Sequence, residues 1–494
     1  MTTRILLFLP FLLTSCAASP SSQSAQVSTA DAVSYTIDTQ QVQQHWDGWG
    51  VSLCWWAGQC GKWEDEKIDE IISWLVSPDG LNYSHFRYNI GGGDDPENRN
   101  CELHHMGKGK GLRAEMEGFK DFSGDAYHWE RDEAQRKIML KIREKRPDAV
   151  FEAFSNSCPY YMTYSGCVGG NADGGKDNLK PEYYEEFAHY LVDVCKHYKD
   201  KYGIEFKTLE PFNESATSYW YQNGSQEGCH FDYQSQIAFL RILAPILRQS
   251  GLSTIISASD ETCTEQSIEA FEAYQEAGVL PLIGQWNTHT YDADDEQRAK
   301  LALLTKQAKI PFWMSETGSG GRGLGGNLRL AQRLFDDVRV MQPEAWCDWQ
   351  YMEEGSDQWC TIRGNFQRHT YRKVKNFYVR QQCTRFIKRG YDIVETSCPQ
   401  ALAAVSPERD TLVLVLLNEG EETIHNISLK RQKTKNKGQQ TRVKGQQMSV
   451  KAFRTSATED LASISDGIVQ EGSTLSVTLP QQSITTLIIN FTKP

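Results

Sequence analysis

Two glutamates stand where a pair of carboxyls could share one reaction. One ends the run Asn213-Glu214 after Thr208-Leu209-Glu210-Pro211-Phe212, and the other sits in Phe312-Trp313-Met314-Ser315-Glu316-Thr317-Gly318. Each follows a short apolar stretch of strand character. Two carboxyls flanking an acetal can cleave it, one protonating the leaving oxygen while the other attacks carbon or activates water. At a separation of about 5–5.5 Å the second is a nucleophile and configuration is retained. Among 64 Asp and Glu either residue alone would say little. The pair is more specific, because Asn213 can hydrogen-bond a sugar 2-hydroxyl and Ser315 is small. Glu210 competes for the acid role, and the preceding Asn favours Glu214.

Such residues need a frame that brings two distant stretches together. Apolar strand-like pieces recur at 50–54, 83–90, 149–155, 206–211, 254–258, 282–289, 312–315 and 345–351. Between them, segments such as 67–75, 131–143, 182–197, 233–248 and 328–340 carry apolar residues at spacings of three and four. Eight strands alternating with helices predict an α/β fold, a (β/α)8 TIM barrel, with chemistry at the C-terminal strand ends. After residue 381 the pattern becomes alternating strands at 411–417, 423–429, 449–454 and 483–491, which predicts a side β-sandwich. One or two strands before Trp46 have no partner in a closed barrel and are expected to join that sheet. The expected organisation is a signal peptide at 1–16, a tether at 17–34, strands at 35–45, the barrel at 46–381 and the sandwich at 382–494.

The first residues, with Arg4 before a short apolar run, read as a signal peptide. Leu13-Thr14-Ser15-Cys16 resembles the bacterial lipobox, so Cys16 is expected to carry lipid and anchor an exported lipoprotein, at the outer membrane. Of 13 cysteines, removing Cys16 leaves 12, an even number in a chain bound for an oxidising compartment. Cys158 with Cys167 and Cys347 with Cys360 would each close a short loop, and free buried thiols are an equal alternative. No cofactor or metal is expected: repeated Cys-x-x-Cys spacing is missing, His104-His105 reads as a surface loop, and Gly91-Gly92-Gly93 lacks the later Gly and Lys of a phosphate loop. A net charge of −12 disfavours nucleic acid and polyanions. The basic run from Lys430 to Lys444 reads as a solvated hairpin. The expected partners are a neutral polysaccharide or oligosaccharide and, through the lipid, a membrane.

The fourth-strand Asn-Glu and seventh-strand Glu resemble the clan of retaining (β/α)8 glycosidases, and residues 35 to 494 resemble glycoside hydrolase family 30. Trp46-Asp47-Gly48-Trp49-Gly50 resembles the family's first-strand motif, and Arg87-Tyr88-Asn89-Ile90-Gly91-Gly92-Gly93-Asp94 the second. His289-Thr290-Tyr291 resembles the sixth-strand end, Asp348-Trp349-Gln350 the eighth, and Phe377 to Tyr391 the return into the sandwich. The resemblance implies Glu214 as acid/base and Glu316 as nucleophile. It implies substrate-binding roles for Arg87, Asp94, Asn213, His289 and Tyr291, with Trp349 stacking on a sugar. Arg87 and Tyr291 would also hold the nucleophile's carboxylate. One departure bears on the substrate: relatives acting on gluco-configured sugars carry Trp at the third-strand end, where this chain has Asn156. A polar wall there suits the axial hydroxyl of galactose, and residues 48–57 resemble the endo-β-1,6-galactanase branch. The expectation is an endo-β-1,6-galactanase acting by double displacement on side chains of plant polysaccharide. The alternatives are a β-1,6-glucanase, xylanase or exo-β-glycosidase on the same frame, or a carbohydrate-binding lipoprotein with a dead barrel.

Overall fold

The computed structural model describes residues 31–93, 95, 116–222, 224–430 and 448–491. The chain enters through β1 (Asp31–His45) and then alternates strand with helix. The order is β2 (Gly48–Ser52), α1 (Trp56–Cys60), α2 (Asp65–Val76), β3 (His85–Asn89), α3 (Glu133–Lys145), β4 (Val150–Phe154), α4 (Tyr184–Tyr202) and β5 (Thr208–Glu210). It continues with α5 (Tyr233–Gln249), β6 (Ile255–Cys263), α6 (Thr264–Glu276), β7 (Gln285–Asp292), α7 (Asp295–Ala308), β8 (Phe312–Thr317), α8 (Gly323–Asp336) and β9 (Ala345–Asp348). Strands β2 to β9 form a closed parallel barrel, with β2 meeting β9 through Gly48 opposite Ala345 and Gly50 opposite Cys347. This is the TIM barrel that the alternation predicts.

Local chemistry explains the elements. Helix α2 buries Ile68, Ile71, Ile72 and Leu75, the stripe expected of a helix lying on a barrel. Helix α5 starts where the Asp232 side chain accepts the Ser235 amide, and α7 where Asp294 accepts the Gln297 amide. The barrel interior departs from the usual layers of branched aliphatics. Glu152, fully buried on β4, accepts hydrogen bonds from Arg87 Nε at 2.9 Å, Thr208 Oγ1 at 2.7 Å and Asn287 Nδ2 at 2.9 Å. A buried carboxylate is tolerable only when paired in this way, and this network forms the floor beneath the strand ends.

Beyond the barrel, β10 (Met352–Glu353), β11 (Ile362–Asn365) and β12 (Thr370–Lys373) form a small sheet, and α9 (Lys375–Thr384) leads out. Strands β13 (Asp392–Thr396), β14 (Ala401–Val405), β15 (Thr411–Asn418), β16 (Thr423–Lys430) and β17 (Met448–Thr455) follow. The last are β18 (Ala462–Ile464), β19 (Ile468–Glu471), β20 (Thr474–Leu479) and β21 (Ser483–Phe491). With β1 they make one ten-stranded ladder, in which β1 runs antiparallel to β13 and parallel to β16. The ladder curls, since Leu412, Leu414 and Leu487 from one half share a core with Ile427, Leu475 and Val477 from the other. Alternate residues of β15, Val413, Val415 and Leu417, belong instead to the barrel's core. Period-two alternation thus buries both faces, which is why β15 reads as a nearly unbroken apolar run.

Several expectations are corrected. β1 begins at Asp31, inside the stretch read as tether, because Asp31 to Asp38 pair with Thr423 to Lys430. β6 extends to Cys263, beyond the expected end at residue 258, through two register shifts that admit polar Ser259, Asp260 and Glu261. Cys158, Cys347 and Cys360 are free thiols, whereas Cys167 is disulfide-bonded, so neither short-loop pairing forms. Cys16, Asp94, His104-His105 and the basic run beyond Lys430 lie outside the described residues. Among the described residues, no helix is long and apolar enough to cross a membrane.

Candidate active site

The strand ends of the barrel bring Glu214 and Glu316 together. Glu214 lies four residues past β5 at a φ of +52°, a left-handed conformation that a non-glycine residue keeps only when its surroundings enforce it. The enforcing contacts are local: its amide donates to Asp260 O at 2.8 Å, and its carbonyl accepts from Thr217 Oγ1 and Trp220 Nε1. Its Oε1 lies 3.0 Å from His289 Nδ1, and its Oε2 accepts from the Tyr219 hydroxyl. Glu316, on β8, accepts from Arg87 Nη1 at 2.8 Å and from the Tyr291 hydroxyl at 2.9 Å. Carboxylate oxygens of the two glutamates and a nitrogen of His289 all lie within 4.8 Å of one another.

These two carboxyls line a cavity of about 390 Å³ together with Asn213, Tyr291, Trp349 and Trp359. Asn213 Oδ1 is buried with no hydrogen-bond partner among the described residues, so it is an acceptor waiting for a donor. Trp349 stands edge-on to Trp55, their centroids 5.1 Å apart. Glycines let the two adjoining loops close on Trp220, another lining residue. A Cβ on Gly228 would fall 2.0 Å from the Trp220 ring, and one on Gly170, at a φ of +129°, would fall 2.0 Å from its carbonyl oxygen.

Electrostatics divide the carboxyls. Burial pushes Glu316 up to about 7, against the pull of His289 and Arg87. Burial would likewise raise Asp260, but Arg87 and His289 hold it down to about 2. Burial alone would strip the proton from His289, yet Glu316 and Asp260 push its pKa well above the ordinary value. Glu210 is driven well upward by burial and by the charges of Asp260 and Glu152, and it is fully buried under the site, away from the lining of the cavity. That removes it as a rival to Glu214. The Glu214, His289 and Glu316 trio has the spacing of metal ligands, and in it His289 Nδ1 lies 3.0 Å from Glu214 and 3.8 Å from Glu316. Asp121, Asp125 and His128 also have ligand spacing, and there His128 Nε2 is 3.1 Å from Asp125 and Arg131 is paired with Asp121.

Of the residues expected to touch a ligand, Asn213, Tyr291 and Trp349 line the cavity with the two glutamates. Arg87 and His289 are fully buried and turned to carboxyls, so their contacts are with Glu316, Asp260, Glu152 and Glu214 rather than with open space. Asn156 is buried as well, its Nδ2 donating to Cys54 Sγ at 3.4 Å, and it is not among the residues lining the main cavity. The expectation of an open polar wall at Asn156 is corrected accordingly. Asp260, Tyr219 and Trp359 were not anticipated. Asp260 was legible in principle, as an acid just past an expected strand, whereas Tyr219 and Trp359 lie on loops whose path no periodicity reveals.

A sequence model described as O-glycosyl hydrolase family 30 matches residues 32–276. An endo-β-1,6-galactanase of Hypocrea rufa is 29% identical over 412 residues, which cover 81% of this chain and 84% of that protein. An exo-β-1,6-galactobiohydrolase of Bifidobacterium longum subsp. longum is 24% identical over 404 residues, covering 62% of this chain and 26% of the relative. The crystal structure of a conserved exported protein from Bacteroides fragilis shares the fold, with a TM-score of 0.76 and 19% identity over 92% of this chain and all of that one.

Proposed function

This chain belongs to glycoside hydrolase family 30, and from that premise we propose that it cuts β-1,6-linked galactan internally by double displacement. Glu214 is the acid/base and Glu316 the nucleophile. The observation that carries the reading is the placement of two glutamates across one cavity with oxygens within 4.8 Å, near the separation of about 5–5.5 Å expected for retention. In the first step Glu316 attacks the anomeric carbon while Glu214 gives its proton to the leaving oxygen. Arg87 and Tyr291 bind the nucleophile's oxygens through opposite atoms, which aims the carboxylate. In the second step Glu214, now a carboxylate, takes a proton from water as the water oxygen attacks the anomeric carbon, which breaks its bond to Glu316 and releases the sugar. Asn213 Oδ1 accepts from a 2-hydroxyl, a bond that strengthens in the transition state, and Trp349 offers an apolar face to the ring.

The choice of galactan is supported by the relatives' activities. Product analysis on β-1,6-galactan, β-1,6-glucan and xylan tests it. The reading expects oligosaccharides from galactan first. Faster release from glucan or xylan, or monosaccharide or disaccharide released only from chain ends, would replace it. We also infer export and lipid attachment through Cys16, supported by Leu13-Thr14-Ser15-Cys16. Replacing Cys16 with Ser should move the enzyme from the membrane to the soluble fraction, and an unchanged membrane fraction would exclude the anchor.

A further inference from the structure

Asp260 is fully buried at the kink of β6, at a φ of +59°, in contact with Arg87, His289, Ser315 and the main chain of Glu214. Its Oδ2 accepts from Arg87 Nη2, the guanidinium that also binds Glu316. Its Oδ1 accepts from Ser315 Oγ at 2.5 Å, the residue just before the nucleophile, and lies 3.1 Å from His289 Nε2 in an ion-pair contact. Its carbonyl oxygen accepts the amide of Glu214 itself. A bare structural ion pair would need only Arg87.

We propose that Asp260 is a positioning residue for hydrolysis: it keeps His289 doubly protonated and aims that cation at the acid/base, while its main chain sets the position of Glu214. The proposal rests on the assignment of Glu214 and Glu316 above. When Glu214 gives its proton to the leaving oxygen it becomes a carboxylate, and the His289 N–H 3.0 Å away stabilises the charge as it forms. Glu316, on β8, faces the same nitrogen at 3.8 Å. Other charged or titratable groups around the pair are Arg87 on β3, Glu152 on β4, Glu210 at the end of β5, Tyr219 on the loop after β5, Glu261 beside Asp260, Tyr291 on β7 and Cys347 on β9. Among the described residues Asp260 is the carboxylate within ion-pair distance of His289 Nε2, a nitrogen with no hydrogen-bond partner, so its charge is the one that favours a proton there.

The test is Asp260→Asn, which preserves shape and removes charge. We expect kcat to fall on the order of 10²-fold with little change in KM. The alkaline limb of the kcat profile should move down by about one pH unit, because His289 loses the carboxylate that holds its proton. A merely structural role would lower activity and melting temperature without moving the limb, and that result would overturn the proposal. A second measurement does not depend on the variant folding: in wild-type protein labelled with 15N-histidine, both His289 ring nitrogens should be protonated at pH 7, the signals being identified by their loss in His289→Asn. A neutral imidazole at pH 7 would overturn the proposal and leave the two glutamates untouched. Full activity in Glu316→Gln would instead overturn the nucleophile and leave the imidazolium reading intact.

Discussion

At the scale of single residues, the site is a contest between burial, which neutralises carboxyls, and a few cations that keep chosen ones charged. Arg87 serves Glu152, Asp260 and Glu316 at once, so its loss would leave three buried carboxylates without their shared cation. The contest sets a pH dependence. Burial holds Glu316 up at about 7, so kcat/KM should decline as pH falls below that value and the nucleophile gains a proton. Tyr291 donates to Glu316 Oε1, a bond that is stronger to the ionised form. Tyr291→Phe should therefore move this acid limb upward, by about one pH unit or roughly 1.4 kcal/mol, measured as kcat/KM against pH on a soluble oligosaccharide. An unmoved limb would mean that a group other than Glu316 sets it. How much of this was legible depends on the kind of residue. Glu214 and Glu316 could be found because acids after apolar strands, with Asn and Ser before them, are unusual. Asp260 escaped because its strand was expected to stop two residues earlier. Asn156 was found in sequence but given an outward role, since sequence does not tell which way a strand-end side chain turns.

At the scale of elements, the strand and helix alternation was readable because each unit carries one clear periodicity, with stripes such as Ile68, Ile71, Ile72 and Leu75 on α2. What could not be read was where irregularity begins. β6 passes through two register shifts, and its polar tail Ser259-Asp260-Glu261 looks like a loop although it is still paired with β7. β1 was likewise begun too late, because Asp31 to Ser34 are paired along β16 without an apolar pattern to announce it. The loops after β4 and β5 are held together by packing that has no periodic signal, with Gly170 and Gly228 closing on Trp220. Gly228→Ala places a methyl group within 2.0 Å of that ring, so the ring or the loop must shift. We expect a loss of about 1–3 kcal/mol of stability and a rise in KM, measured by chemical denaturation and by steady-state kinetics. A variant with wild-type KM would show that Trp220 does not shape the binding cleft.

At the scale of the whole molecule, the side sheet shares one hydrophobic core with the barrel's strands and helices. Val413, Val415 and Leu417 pack into the barrel core while Leu412, Leu414 and Leu416 fill the sheet's own. α9 is tied to β17 and β21 through Gln382, which donates to Thr455 Oγ1 and accepts from Thr486 Oγ1. Barrel and sheet should therefore unfold in one calorimetric transition, and two separated transitions would show that the shared face contributes little. This coupling was legible only in part: the apolar run of β15 announced a buried strand, but not that its two faces belong to different cores. The same whole-molecule frame brings Glu214 and Glu316 to one cavity, and the claim that they work by double displacement has one direct test. A 2-deoxy-2-fluoro-β-galactosyl donor with a good leaving group should inactivate the enzyme by trapping the glycosyl-enzyme, and mass spectrometry of the digested protein should find the sugar on the peptide carrying Glu316. A label on Glu214 or any other residue, or turnover that releases the α-anomer with no label at all, would contradict the account.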